Sequence, residues 1–172
     1  YEVWDGEVEK TRINEDEINK LDIQISCSSL VIKDSVDEFF YIEKKGEGKL
    51  QAYEEDGVLY VKALLSGSVI GVKQEEKVTL YVPKNVDLHM ISVELGAGEI
   101  EWNALKADAM KVDLGAGEFV AKNAEVGDLE VSLGAGECLI QGKLKGDVNV
   151  DCAAGDVTLK HVGNEEEFNY EI

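Results

Sequence analysis

From residue 88 to residue 161 apolar and polar side chains alternate with a period of two, broken at regular intervals by a glycine-rich pentapeptide. Leu95-Gly96-Ala97-Gly98-Glu99 returns as Leu114-Gly115-Ala116-Gly117-Glu118 and as Leu133-Gly134-Ala135-Gly136-Glu137. A decayed copy follows at Cys152-Ala153-Ala154-Gly155-Asp156, and every step is 19 residues. Before the turns stand the columns Ile91, Met110, Leu129, Val148 and Val93, Val112, Val131, Val150. After them stand Ile100, Phe119, Cys138, Val157 and Trp102, Ala121, Ile140, Leu159. Successive side chains of a strand point to opposite faces, so alternation on both sides of a turn predicts two half-buried strands per repeat. A helix would need apolar residues at i, i+3 and i+4, and these columns do not supply them.

A βαβ unit takes about 30 residues or more, so the repeat is too short for one. A hairpin ladder would not bring back the same turn in the same in/out phase. The pattern therefore predicts an all-β, single-chain parallel β-solenoid, β-helix-like or β-roll-like, in which each repeat is one coil and equivalent residues stack ~4.8 Å apart. The turn glycines are expected to allow close stacking and to carry positive φ at one or both positions in all three intact copies. Elsewhere in the coil Val86/Leu105/Ala124 and Leu88/Ala107/Val126 keep the register, whereas Lys143 and Lys145 break it and Leu144 is displaced by one.

One domain is expected over residues 1–172, with a degenerate N-terminal coil at 18–33, a hairpin insertion at 38–63 and regular coils at 78–172. Ile23 to Ile32 reproduces the spacing of Val93 to Trp102, with Ser and Cys in place of the glycine turn. Runs 38–43, 49–53 and 58–62 read as antiparallel hairpins, separated by Lys45-Gly46-Glu47-Gly48 and Glu55-Asp56-Gly57. Residues 64–76 read as a loop, and Val78, Leu80 and Val82 as a strand closed by Pro83. Phe168, Tyr170 and Ile172 alternate again, in register with the coils after a one-residue insertion, so a truncated array or a missing tail is expected at Ile172. Residues 1–17 are acidic, with Trp4 and Ile13 as isolated apolar residues and no evident place.

The chain has 17 Lys and Arg against 36 Asp and Glu, a net charge of −19, which excludes nucleic acid and disfavours an anionic membrane surface as partner. At 172 residues a single core needs neither disulfide nor metal staple. No apolar run approaches the ~18 residues of a membrane-spanning helix. The chain begins at Tyr1, which is expected to follow a removed segment. Cys27, Cys138 and Cys152 are odd in number and form no C-x-x-C pair, so neither a disulfide framework nor a zinc site is indicated.

The three intact turns, Val78-Thr79-Leu80-Tyr81-Val82-Pro83 before them and Gly155-Asp156-Val157-Thr158-Leu159 after them carry a resemblance over roughly residues 18–172. The chain resembles a bacterial family called adhesins by analogy, of unknown biochemical function, whose β-solenoid domains carry repeated L-G-A-G-[ED] turns. The resemblance implies an exported domain on the extracellular face of the cell envelope, often tethered by an N-terminal membrane segment and in some relatives linked to envelope stress. It implies no catalytic residues.

The sharpest candidate site is the acidic ladder of Glu99, Glu118, Glu137 and Asp156, with Glu94, Asp113 and Asp151 across the turn. Like charges on neighbouring strands repel, and Ca²⁺ with its oxygen ligands is the natural counter-ion, as in calcium-binding β-rolls. Only one turn per coil is glycine-rich here, and a solvated acidic face explains the same residues. His89 and His161 are isolated and read as ordinary surface histidines. Cys138 and Cys152 fill apolar columns and read as small buried hydrophobes, as does Cys27 in a turn; Trp102 reads as core. Val120 and Leu139 make an outward apolar strip, either a contact surface or covered by the hairpin insertion. The expected function is a non-catalytic interaction or structural module of the cell envelope, with an unknown protein or cell-surface partner. A Ca²⁺-binding β-roll-like module is the alternative, and a carbohydrate-cleaving β-helix enzyme a weaker one. Self-association through the strand edge at the C-terminal end is expected as well.

Overall fold

The structure, a computed structural model, describes residues 2–5, 7–13, 17–46, 48–64, 77–161 and 169–171. Among them there is no helix, and the chain is all-β. The strands are β1 (Glu2–Asp5), β2 (Val8–Ile13), β3 (Lys20–Asp34), β4 (Phe40–Lys45), β5 (Lys49–Glu55) and β6 (Val58–Leu64). They continue as β7 (Lys77–Val82), β8 (Met90–Asn103), β9 (Lys106–Leu144), β10 (Asp147–His161) and β11 (Asn169–Glu171).

The repeat is visible in the pairing. β8 pairs with β9 in parallel, Val93 opposite Val112 and Glu99 opposite Glu118, so every partner lies one full repeat further along the chain. β9 and β10 keep this offset, with Val131 opposite Val150 and Glu137 opposite Asp156. On the other flank of β8 lies β3, also parallel, with Ile23 opposite Val93 and Ile32 opposite Trp102, the spacing read from the sequence. The valine column Val93, Val112, Val131, Val150 is buried from end to end. Phe119, Ala121, Cys138 and Ile140 line the opposite wall of the same core, and Trp102 is buried with them. Leu144 is buried while Lys143 and Lys145 are exposed, so the slip by one residue keeps an apolar side chain in the core.

The far flank of β3 carries two strands rather than one. β6 pairs in parallel with its first half, Leu21 opposite Leu59, and β7 with its second half, Leu30 opposite Val78. From β6 the sheet continues antiparallel into β5 and β1, and from β7 antiparallel into β4 and β2. The β5–β6 hairpin turns at Asp56 and Gly57, both at positive φ (52° and 80°), the pair of left-handed residues that a two-residue hairpin requires. The hairpin expected between runs 38–43 and 49–53 does not form. β4 joins β2 and β7 while β5 joins β1 and β6, so the β4–β5 connection crosses between two wings. The buried Lys44 ammonium closes that connection by donating to the carbonyls of Gly46 and Gly48.

Three further expectations are corrected. Positive φ is not shared by the three turns: among their glycines only Gly136 has it (154°), and Gly155 of the decayed copy follows (150°). The glycines answer to close approach instead. A Cβ on Gly117, Gly136 or Gly155 would come closer than 3.0 Å to the carbonyl oxygen of the glycine one repeat earlier, whereas one on Gly115 would sit at 3.0 Å from the Gly96 oxygen. β11 pairs with β10 through Val148 opposite Tyr170, whereas a one-residue insertion would have set Phe168 there, so the insertion is longer. Residues 1–17 contain two edge strands. Their charges hid them: Glu2 and Asp5 in β1 and Glu9, Lys10 and Arg12 in β2 are the kind of charged residues by which edge strands discourage further pairing. The loop expected at 64–76 lies, apart from Leu64, outside the described residues, as do Phe168, Ile172 and the side chain of Cys27.

Candidate functional site

The turn face is where the repeat meets solvent. Leu95, Leu114 and Leu133 point inward and are buried, and the next inward residues are Ile100, Phe119 and Cys138. Between them the Gly-Ala-Gly triplets lie flat at the surface, bordered on both sides by acidic rows. Glu94 stands opposite Asp113 and Asp151 opposite Ser132, so Ser132 interrupts the first row. Glu99, Glu118, Glu137 and Asp156 form the second row without interruption, at the ~4.8 Å spacing of neighbouring strands. All seven carboxylates are exposed. Among the described residues no three His, Cys, Asp or Glu side chains converge on a point where a metal ion would sit. The second row instead borders an open groove of about 420 Å³, with Glu118, Glu137 and Asp156 on one side, Val120 and Leu139 on the other and Lys160 at its end. The outward apolar strip is thus half-buried in a groove, well away from the β4–β7 strands that lie beyond β3.

A second groove, of about 310 Å³, runs across the strands from Val86 to Lys145. Here the period brings together residues that look isolated in sequence. His89 Nδ1 lies 2.9 Å from Asp108 Oδ2, one repeat later. Lys145 Nζ lies 2.6 Å from Glu125 Oε1, and this hydrogen bond holds the Glu125 carboxyl below its usual range. The stacking offset itself was the signal for the first pair. Both pairs are exposed (58% and 78% for His89 and Asp108), so each ties neighbouring repeats by at most about 1 kcal/mol. The groove walls include Lys106 and Asp87 but no Ser, Thr or Cys that His89 could activate. His161 lies apart from them and receives the Leu144 amide at 3.4 Å.

The cysteines divide. Cys138 is buried as expected, and burial pushes its thiol up to about 12, far from the thiolate a nucleophile needs. Cys152 is exposed, against expectation, with its Sγ 3.3 Å from the Gly155 carbonyl. Its column partner Leu133 has β10 stacked on it, but β11 reaches only Asp147–Asn149, so among the described residues no strand lies over Cys152.

A third groove, of about 530 Å³, opens beside the loop at 35–39. Asp37 organises that loop by accepting from Ser35 Oγ, the Phe39 amide and, at 2.5 Å, the Tyr41 hydroxyl. The Tyr41 bond is the main reason the Asp37 carboxyl is held low. The loop displays Val36 at 89% exposure.

With this geometry in hand, comparison with known proteins decides the family. The family model described as Toastrack DUF4097 matches residues 18–167. The chain belongs to this family. The Toastrack match spans the stacked strands from β3 to β10, the region that carries both the turn face and the ion-paired groove. Among solved structures, a candidate cell adhesion protein from Clostridium sporogenes aligns with a TM-score of 0.53 at 15% identity, covering 94% of this chain and 99% of that one. A candidate lipid-binding protein from Parabacteroides distasonis aligns with a TM-score of 0.50 at 15% identity, covering 87% of this chain and 72% of that one. At such identities the likeness shows the fold alone. No curated protein matches the chain.

Proposed function

We propose that this Toastrack chain is a non-catalytic interaction module of the bacterial cell envelope, displayed on its extracellular face and built as a parallel solenoid whose coils each span one repeat. The observation that carries the reading is the turn face. Three coils repeat the same Gly-Ala-Gly-Glu at the surface above a buried leucine, and this small-residue strip with its acidic borders forms a surface that grows by one row per coil. Such a surface suits contact with an extended partner better than capture of a small molecule, which calls for a concave and largely apolar pocket. The names given to the aligned structures, one tied to cell adhesion and another to lipid binding, agree with a contact role.

Two measurements test it. The purified chain should bind whole bacterial cells or isolated envelope, and the triple variant Glu99→Lys, Glu118→Lys, Glu137→Lys should lose that binding while remaining folded. Equal binding by the variant removes the turn face from the account. A panel of glycan and peptide hydrolysis assays should show no turnover. Robust turnover abolished by a single substitution, His89→Ala being the first to try, would replace the module with an enzyme.

A further inference from the structure

Past the glycine turn, the outward side chains of the stacked strands fall into three lines, each two residues from the next. The first is acidic, with Glu99, Glu118, Glu137 and Asp156. The second holds the half-buried Val120 and Leu139, between Glu101 on β8 and Thr158 on β10. The third carries no carboxylate: Lys122 lies opposite Asn103, and Gln141 opposite Lys160. In strands that rise ~3.3 Å per residue the first and third lines stand about 13 Å apart, with the apolar line between them. Glu118 and Lys122 are both exposed, and among the described residues neither side chain makes a hydrogen bond or ion pair. Val120 and Leu139 sit within β9, which is itself paired to β8 on one flank and to β10 on the other. They offer a face, therefore, and not an edge.

We propose that this face docks a second copy of the chain, about a two-fold axis that runs over Val120 and Leu139 at right angles to the strands. A two-fold contact joins one patch to itself, so the patch must complement its own image. Rotation about this axis exchanges the two outer lines and leaves the middle one in place. Glu118 of each copy then faces Lys122 of the other, and Glu137 faces Gln141. Val120 and Leu139 meet their own counterparts across the ~10 Å spacing of sheets packed face to face. A two-fold axis along the strands would instead keep each line on its own side and set acidic line against acidic line. Charge therefore selects one axis of the two, because like-charge juxtaposition excludes the other. An occupant of this face needs a basic, an apolar and an acidic line in reversed order, and the chain itself supplies them. Glu101 stands on the middle line and, facing its own counterpart, ends the contact at β8. The patch is only a few residues a side, smaller than a standard interface, and the net charge of −19 per chain opposes it. The dimer is accordingly a weak one that forms at high concentration.

Sedimentation equilibrium of the whole chain, followed from micromolar to near-millimolar concentration, tests this. The wild type should show a monomer–dimer equilibrium. Glu118→Lys and, separately, Lys122→Glu should each weaken it about tenfold, since each turns two attractive pairs into two repulsive ones. Glu118→Lys should do so even though it lowers the net negative charge. An equimolar mixture of the two variants should associate to within about threefold of the wild type, because in the mixed dimer every charge pair is attractive again. Circular dichroism checks that each variant is folded. A wild type that stays monomeric throughout, single variants that associate as the wild type does, or a mixture that fails to recover would each overturn the docking. Glu118 also borders the turn face, whereas Lys122 does not, so Lys122→Glu separates this contact from the envelope role. A chain that dimerises through these charge pairs and binds no cell surface leaves the docking standing and removes only the adhesive reading.

Discussion

From β8 through β9 to β10, each strand segment meets its partner at one fixed offset, the length of the repeat, as Val93 meets Val112 and Val131 meets Val150. Beyond β3 no single offset holds. There Leu21 meets Leu59 in the first half of the strand, but Leu30 meets Val78, further along the chain, in the second. Both regions have fully buried inward side chains, such as Val112 and Leu133 in the stack and Leu50, Leu59 and Ile42 in the wings. They differ in what fixes the register. In the stack it is the repetition itself: each row of side chains is seated on the equivalent row one repeat earlier, and at Gly117, Gly136 and Gly155 backbone approaches backbone so closely that only glycine fits. In the wings it is a set of single devices, among them the Asp56–Gly57 turn, the buried Lys44 and two cross-strand tyrosine pairs. Tyr53 stacks on Tyr60 with ring centroids 4.8 Å apart, and Tyr41 stands opposite Tyr81 beneath the Lys10 ammonium, which is 4.8 Å and 4.2 Å from the two rings. The stack should therefore tolerate the loss of a whole unit and no change within the shared row. The wings should show the reverse economy, each device mattering locally.

The largest effect is expected from a charge in the shared column. Val131→Asp places an unpaired carboxylate in the buried core, at a cost of several kcal/mol, and the chain should lose its cooperative thermal transition. Retention of that transition would mean that the column is not the common core. The turn glycines come next. Gly117→Ala brings a Cβ onto the Gly98 carbonyl, and overpacking of this kind costs about 1–3 kcal/mol. Gly115→Ala meets its neighbour only at 3.0 Å and should cost less than half as much in urea unfolding. Equal costs would show that the two glycines do the same job.

In the wings, Lys44→Met leaves the Gly46 and Gly48 carbonyls without their donor and should cost about 1–3 kcal/mol. Its effect should be local: hydrogen exchange should rise in β4 and β5 and stay unchanged in β9. The smallest effect concerns the Asp37 loop. Its carboxyl is held below the ordinary value of 3.8 chiefly by the Tyr41 bond. A depressed folded pKa means that the order it gives the loop is present above 3.8 and is lost as the pH falls through the lowered folded value. The Phe39 amide resonance should follow that loss, and Asp37→Asn should abolish the titration without altering the stack.

The same contrast explains what could be read from the residues alone. The parallel stack was legible because a fixed period writes its contacts into the sequence several times, so that even the degenerate strand at Ile23–Ile32 could be aligned to it. The wings were legible only where the contact is local, as at the Asp56–Gly57 turn. Nothing in the chain repeats to announce that β7 returns to lie beside the second half of β3, or that two charged segments before residue 17 form the outer edges. Of the candidate site, the acidic rows fell where the period put them. The His89–Asp108 pair follows the same period, one repeat apart, but neither residue signals it when taken alone. Cys152 is exposed because a column says which side a residue faces, and among the described residues no strand lies over this one.

If each repeat is an interchangeable unit, the most direct test removes one. Deleting residues 115–133 joins Leu114 to Gly134, restores an intact Leu-Gly-Ala-Gly-Glu turn and takes out one full period. This shortened chain should fold, keep its β-type circular dichroism and unfold cooperatively with somewhat reduced stability. Deletions at the same junction that are one residue shorter or longer should not fold, because a slip of one residue turns every inward side chain outward. Failure of the full-period deletion to fold, or equal behaviour of all three, would contradict the stacking of equivalent coils.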